Sequence, residues 1–212
     1  MENLTIILFL CVSIPILPVI FLLPDQKSRQ FLGFLLGGTT VCLISSEVND
    51  LLLAAFGNDL LYVTTNITPV SEEILKAIPI LFYAEAVSDD RNMILANSFA
   101  MGLGFALLEN LVILTRNIST VSIAWAFARG MGAALMHSTC TSLVGLGISY
   151  VRKRRKLFYC GTFSLLITAI TYHAIFNTLI QSHLRVWAFV LPALLSLLQL
   201  WMRFGWMRMT KS

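Results

Sequence analysis

Ionisable and amide side chains recur inside apolar stretches of this 212-residue chain. A charged side chain at the centre of a membrane-spanning helix costs at least about 2.5 kcal/mol on insertion scales, so such residues indicate a functional site. The candidates are Glu72, Glu73, Lys76, Glu109, Asn110, His137, His173 and Asn177. Carboxylates and imidazoles can take a proton from water, and imidazole and amide groups can stabilise an oxyanion. The set is therefore suited to hydrolysing a peptide bond within a membrane.

The same side chains could instead bind a metal ion. Sites of three His and Glu ligands with an open position generate hydroxide on zinc. The candidate ligands are Glu72, Glu73, Glu109, His137 and His173, although the helical His-Glu-x-x-His arrangement is missing from the sequence. The residues leave two alternatives open, a metal-free glutamate base and a divalent metal such as zinc. They indicate no other cofactor.

The composition predicts that lipid is the solvent for most of the chain. Hydrophobic residues make up 57% and charged residues 12%, and the mean hydropathy is +0.80, which is too apolar for a soluble domain. The net charge of +4 owes much to one basic run at residues 152–156. We interpret that run as a topology anchor, so nucleic acid is not an expected partner.

Windows of about 20 apolar residues predict an all-α, polytopic transmembrane helical bundle with about seven spans. We expect the whole chain, residues 1–212, to form a single domain. The connection from Glu47 to Pro69 is predicted to be an interfacial or re-entrant helix. The predicted spans are Leu4 to Leu23, Phe31 to Ser46, Val70 to Val87, Met93 to Leu114, Met131 to Val151, Leu157 to Ile180 and Val186 to Phe204.

The distribution of Lys and Arg predicts an N-terminus outside and a C-terminus in the cytoplasm, because cytoplasmic loops carry the excess of these residues. With this orientation eleven of the fifteen basic residues, Lys211 among them, lie on the cytoplasmic side. Arg116, Arg129 and Arg185 lie outside, and Lys76 lies within a span.

Counting along the helices predicts that the polar groups share one depth. Glu73 and Glu109 are each eighteen residues from Arg91, roughly 27 Å at about 1.5 Å per residue. His173 and His137 are seventeen and fifteen residues from the basic run, roughly 25 and 22 Å. We therefore expect one layer in the outer third of the membrane. Small residues would let these helices approach closely, namely Gly102, Gly104, Ala106, Gly130, Gly132, Ala133, Ala134, Gly145 and Gly147.

Four motifs on consecutive predicted spans carry a family resemblance. They are Ser71-Glu72-Glu73-Ile74-Leu75-Lys76, Gly104-Phe105-Ala106-Leu107-Leu108-Glu109-Asn110, His137 in a helix of small residues, and His173-Ala174-Ile175-Phe176-Asn177. In this order they resemble the PrsW family of intramembrane proteases. That family lies within the wider group of CAAX-processing and bacteriocin-processing membrane endopeptidases.

The resemblance implies a protease of the bacterial plasma membrane. It would make the first cut in a single-span substrate, typically an anti-sigma factor, and so release a stress-response regulator. By analogy Glu72 activates water, and His173 with Asn177 forms the oxyanion hole. Glu109 stands where the CAAX enzymes have a histidine, which fits the PrsW branch and leaves open whether Glu109 or His137 assists Glu72. Lys76 and Asn110 are expected to have supporting roles.

Three alternatives to this interpretation use the same residues. The first is a CAAX-type or bacteriocin-processing protease; of these, a prenyl-protein endopeptidase would have to open to the cytosol, whereas the depth count places the site toward the outside. A proton-coupled transporter would place its polar groups at successive depths rather than in one layer. A non-catalytic scaffold, such as an immunity protein, would keep the fold for binding alone.

Overall fold

The computed structural model describes residues 4–209, with side chains described as far as residue 197, and all regular structure in that part of the chain is helical. The all-α expectation is therefore confirmed for the described residues. The helices are α1 (Leu4–Leu22), α2 (Gln26–Ala55), the short α3 (Leu60–Tyr62), a π-helical turn (Val63–Ile67), α4 (Thr68–Ala86), α5 (Arg91–Arg116), α6 (Ile123–Ile148), α7 (Arg155–Ile180) and α8 (Arg185–Met209).

Five of these helices, α1, α2, α5, α6 and α7, are long and apolar enough to cross a membrane. The chain is thus a multi-pass membrane protein. Helices α4 and α8 coincide with the other two predicted spans; α4 carries several ionisable residues, and α8 is apolar over Arg185–Leu197. The number of spans and the orientation stay predictions, and Lys211 lies outside the described residues.

Two helices extend further than the hydropathy windows indicated. Helix α2 continues past Ser46 to Ala55, and α6 begins at Ile123 rather than at Met131. Polar side chains end an apolar window without ending the helix, because the backbone hydrogen bonds continue. The connection that follows Glu47 is consequently mostly helical, and it turns at Gly57 and Asn58, which both have positive φ angles.

Helix α5 packs between α2 and α6 and sets the position of the polar residues on all three helices. Gly104 lies directly against the backbone of Leu35 in α2. Gly102 lies against α6, where a Cβ atom would come within 2.5 Å of the carbonyl oxygen of His137. Glycine is needed at both positions because any side chain would separate the helices. Because α5 and α6 approach so closely, His137 of α6 lies directly against α5.

Candidate functional site

The first turns of α4 bury three ionisable side chains together. Glu72, Glu73 and Lys76 are 4%, 1% and 0% exposed. The Lys76 ammonium donates to Glu73 Oε1 at 2.6 Å, an i,i+3 pair on one face of the helix. Removing either charge would leave the other buried without a counter-ion, which is destabilising. The pairing therefore fixes the positions of both side chains.

Helix α7 brings His173 between the two glutamates. His173 Nδ1 lies 2.9 Å from Glu73 Oε1, and His173 Nε2 lies 3.8 Å from Glu72 Oε2. An ionised carboxylate can only accept hydrogen bonds, so Nδ1 carries the proton. In the neutral imidazole, Nε2 then presents a lone pair toward Glu72. Glu73 therefore fixes both the tautomer and the orientation of His173.

Helix α6 contributes His137, whose two ring nitrogens both have partners. His137 Nδ1 lies 3.0 Å from Lys76 Nζ, and Nε2 lies 3.2 Å from Glu109 Oε2. An ammonium group has only donors, so Nδ1 accepts and Nε2–H donates to the carboxylate. The ring lies 4.8 Å from the His173 ring, edge to face. His137 thus links the carboxylate of α5 to the ion pair of α4.

Arg129 of α6 holds the end of α5 in the same network. Its Nη2 donates to Glu109 Oε2 at 3.0 Å, and its Nε donates to Asn110 Oδ1 at 3.1 Å. Arg129 is 5% exposed, although the hydropathy windows placed it in an outer loop. That placement was wrong because α6 starts earlier than its apolar window. The available signal was spacing, since Arg129 precedes His137 by eight residues, or about two helical turns.

Asn49 of α2 is the second site residue that sequence reasoning missed. Its Nδ2 donates to Glu72 Oε1 at 3.1 Å, while its Oδ1 accepts from the Ser71 hydroxyl at 2.9 Å. Residues near Asn49 were assigned to the outer connection, because the apolar window ends at Ser46. The amide instead orients the Glu72 carboxylate. Glu72 Oε1 accepts its hydrogen bond, and Glu72 Oε2 has no hydrogen-bond partner.

Asn177 lies one turn after His173 on α7, as the spacing of the two residues predicts. Its amide, however, makes its hydrogen bond outside the cluster of glutamates and histidines. Asn177 Nδ2 donates to the carbonyl oxygen of Thr64 in the π-helical turn, at 2.9 Å. A π-helical turn leaves the regular α-helical ladder, and the amide binds one of its carbonyl groups. The contact ties α7 to the segment just before α4. An oxyanion-hole role for Asn177 stays a prediction.

The donor set fits a metal ion with three protein ligands. Glu72, His137 and His173 each offer one atom, and these atoms lie within 4.8 Å of one another. Glu72 Oε2 and His173 Nε2 are buried without a hydrogen-bond partner. Two ligands of a tetrahedral zinc lie about 3.4 Å apart, close to the separation of these two atoms. Glu73 and Glu109 hydrogen-bond to the two histidines and would orient them as ligands; their own role as ligands stays a prediction.

The comparisons with known proteins give one match. A family model described as PrsW family intramembrane metalloprotease matches residues 29–205, which is most of the chain and includes every residue of the site described above. No curated protein and no solved structure matches the chain.

Proposed function

The chain belongs to the PrsW family of intramembrane metalloproteases, and from that membership we propose that it is an endopeptidase that cleaves a membrane-anchored protein. The observation that supports the proposal most is the facing pair of free atoms, Glu72 Oε2 and His173 Nε2, 3.8 Å apart and buried. Buried polar atoms are rarely left unpaired. Two free basic atoms at this spacing suit the binding of a water molecule or a metal ion.

Glu72 is the proposed general base. Asn49 holds Glu72 Oε1, so the free Oε2 is directed toward His173 and is available to take a proton from a water molecule between the two side chains. His173 Nε2 accepts the other hydrogen of that water and orients it. Glu73 keeps His173 in the tautomer that this step needs. Once protonated, Glu72 can pass the proton to the leaving amine.

Glu72, His137 and His173 are the residues that would hold a divalent metal such as zinc. When bound, such a metal lowers the pKa of a coordinated water and polarises the scissile carbonyl. Both ring nitrogens of His137 already have partners, Lys76 and Glu109. His137 must give up one of these contacts to serve as a ligand, whereas Glu72 and His173 need no rearrangement.

The proposed substrate is a single-span membrane protein, with an anti-sigma factor as the specific candidate, and the proposed location is the bacterial plasma membrane. The excess of Lys and Arg at one end of the spans supports an N-terminus outside. With this orientation, the cluster of glutamates and histidines (Glu72, Glu73, Glu109, His137 and His173) lies near the extracytoplasmic side. A cut there would be the first step of regulated proteolysis in a stress response.

A comparison of protein N-termini in bacterial membranes tests the proposal and identifies the substrate in the same experiment. Cells expressing the parent chain, Glu72→Gln or Glu47→Gln are labelled at free N-termini, and new termini are identified by mass spectrometry. Glu47 is exposed on α2 and outside the site, so it is the matched control. We expect new termini near the ends of membrane spans with the parent and Glu47→Gln only. The same termini with Glu72→Gln would refute the proposal.

A further inference from the structure

The two facing atoms of the proposed site cannot meet a substrate while the helices are packed as described. Glu72 is 4% exposed and His173 is 1% exposed, and the free atoms Glu72 Oε2 and His173 Nε2 are buried. A reacting peptide bond must come within about 3–3.5 Å of the groups that attack it. One element of the bundle must therefore move before cleavage can occur.

A loosely held element borders the site. It consists of residues 60–67, that is α3 and the π-helical turn, and we call it the closing segment. The π-helical turn packs against α2, α4 and α7, and Val63 is the fully buried residue of the segment. The chain enters it through Gly57 and Asn58, which have positive φ angles, and a Cβ added at Gly57 would meet no atom within 4 Å. Segments with few buried side chains and an unpacked turn at one end open more easily than the rest of a fold.

Two hydrogen bonds from α7 hold the closing segment, and both end on Thr64. Asn177 Nδ2 donates to the carbonyl oxygen of Thr64 at 2.9 Å, and Gln181 Nε2 donates to the Thr64 hydroxyl at 3.2 Å. Asn177 and Gln181 are four residues apart and so share one face of α7. Asn177 follows His173 by four residues, roughly 6 Å along the helix. A backbone carbonyl of the chain itself thus occupies an amide that lies one turn from the proposed site.

The sequence explains why the Thr64 carbonyl accepts from a side chain. In the π-helical turn the N–H of Thr68 bonds to the carbonyl of Val63, five residues earlier. The next pair in this register would join residue 69 to Thr64, but residue 69 is proline and has no N–H. Asn177 supplies the donor that Pro69 lacks.

We propose that the closing segment is a substrate gate, that Asn177 and Gln181 latch it shut, and that a substrate carbonyl replaces the Thr64 carbonyl on Asn177 when it opens. This inference rests on the proposed peptidase function. A substrate offers Asn177 the same group that Thr64 offers, a backbone carbonyl, so the exchange loses no hydrogen bond. The two latch bonds join neutral groups, whereas Lys76 and Arg129 join α4 and α5 to α6 through charged groups, which bind more strongly. The gate therefore opens at the latch.

Thr64→Val weakens the latch and leaves Asn177 in place. The probe is the single-span protein in which the parent creates a new N-terminus. We expect Thr64→Val to lower KM about two- to tenfold, the effect of one hydrogen bond, because a larger open fraction raises the apparent affinity. The kcat should stay near the parent's, since the groups that react are unchanged. Gln181→Leu should act in the same way.

Thr65→Val is the matched control. The hydroxyls of Thr64 and Thr65 both donate to the carbonyl four residues earlier, but the amide that donates to Thr65 is that of Asn66 in the same segment. Thr65→Val should therefore keep the parent's KM. A purely structural latch would give Thr64→Val a lower kcat or no change in either constant, and each of these results would overturn the gate.

A reversible cross-link tests the same movement. Thr64→Cys and Gln181→Cys are combined in a chain that also carries Cys11→Ser and Cys160→Ser, which remove the exposed thiols. A short bis-methanethiosulfonate reagent then joins the two new thiols. Cleavage should stop in the cross-linked protein and return after reduction. Cleavage at the same rate in both states would overturn the gate.

The matched cross-link joins two loops that already touch. Lys153 Nζ donates to the carbonyl oxygen of Asp89 at 2.6 Å, and both residues are exposed. Asp89→Cys with Lys153→Cys, in the same serine background, should cleave equally well before and after reduction. Loss of cleavage in this control as well would show a general effect of the reagent and would overturn the assignment to the latch.

Hydrogen exchange measured by mass spectrometry needs no substrate, so it separates failure of the gate from failure of the proposed function. Amides of residues 60–67 should exchange about two- to tenfold faster in Gln181→Leu than in the parent, and those of residues 70–76 should be unchanged. Equal exchange at residues 60–67, or an equal rise at residues 70–76, would overturn the gate. Faster exchange at residues 60–67 alone, with a parent that cuts no membrane protein, would instead overturn the proposed function.

Discussion

Replacing Lys76 with methionine should tighten the binding of a divalent metal by the purified protein. The Lys76 ammonium lies 3.0 Å from His137 Nδ1 and 2.6 Å from Glu73 Oε1, inside the group of proposed ligands. It supplies a positive charge where a metal ion would place two more. Lys76→Met keeps an unbranched side chain that is one atom shorter, frees the His137 nitrogen and removes that charge.

The expected gain follows from the Coulomb energy. A divalent ion about 5 Å from an ammonium group is repelled by about 7 kcal/mol at an effective dielectric constant of about 20. In the parent, Lys76 can move away from a bound ion and so reduce this repulsion, which makes the net difference in binding free energy much smaller. We therefore expect the affinity of Lys76→Met to rise by at least about tenfold, which corresponds to about 1.4 kcal/mol.

Competition with a chromophoric chelator in detergent, using Zn²⁺ or Co²⁺, measures this affinity directly. Lys153→Met is the matched control, because Lys153 is exposed and bonds to the carbonyl oxygen of Asp89 far from the site. Circular dichroism checks that Lys76→Met is folded. An affinity equal to or lower than the parent's would refute the reasoning about Lys76. Binding by neither protein would instead contradict the proposed metal site.

Three further substitutions test how the site is held together. Gly102→Ala should separate α5 from α6 and lower stability by about 1–3 kcal/mol, measured by thermal unfolding in detergent, whereas Gly130→Ala should have little effect because nothing lies within 4 Å of its added Cβ. Arg129→Met should destabilise the fold by about 2–3 kcal/mol in the same assay, because it leaves the partly buried Glu109 carboxylate with His137 as its remaining partner. Asn49→Leu should weaken metal binding about 10- to 100-fold in the chelator assay, because the amide orients Glu72.

The convergence of the charged residues could be predicted from the sequence because helices have a fixed rise per residue. Glu73 and Glu109 lie at equal distances from Arg91 on adjacent helices that run in opposite directions, so their depths match. The structure connects these residues through His137 and Lys76. Depth along the helices was sufficient to predict the layer, whereas the pairing of Lys76 with Glu73 is found only in the structure.

Residues near the ends of the apolar windows could not be assigned in the same way. Asn49 and Arg129 both lie beyond a window, where hydropathy cannot distinguish a continuing helix from a loop. Each contacts a carboxylate on another helix, and a contact of that kind depends on tertiary packing. The hydrogen-bond partner of Asn177 could not be predicted for a related reason. It depends on the π-helical turn at Val63–Ile67, which hydrophobic periodicity does not report.

The rate of proteolysis of a purified single-span substrate, identified from its new N-terminus, tests the central claim most directly. Parent, Glu72→Gln and Glu47→Gln are compared in the same detergent or lipid mixture, with folding checked for each. If the facing atoms of Glu72 and His173 activate water, Glu72→Gln should be at least about 100-fold slower, as loss of a general base predicts, and Glu47→Gln should match the parent. A Glu72→Gln protein that cleaves at the parent's rate would contradict the account.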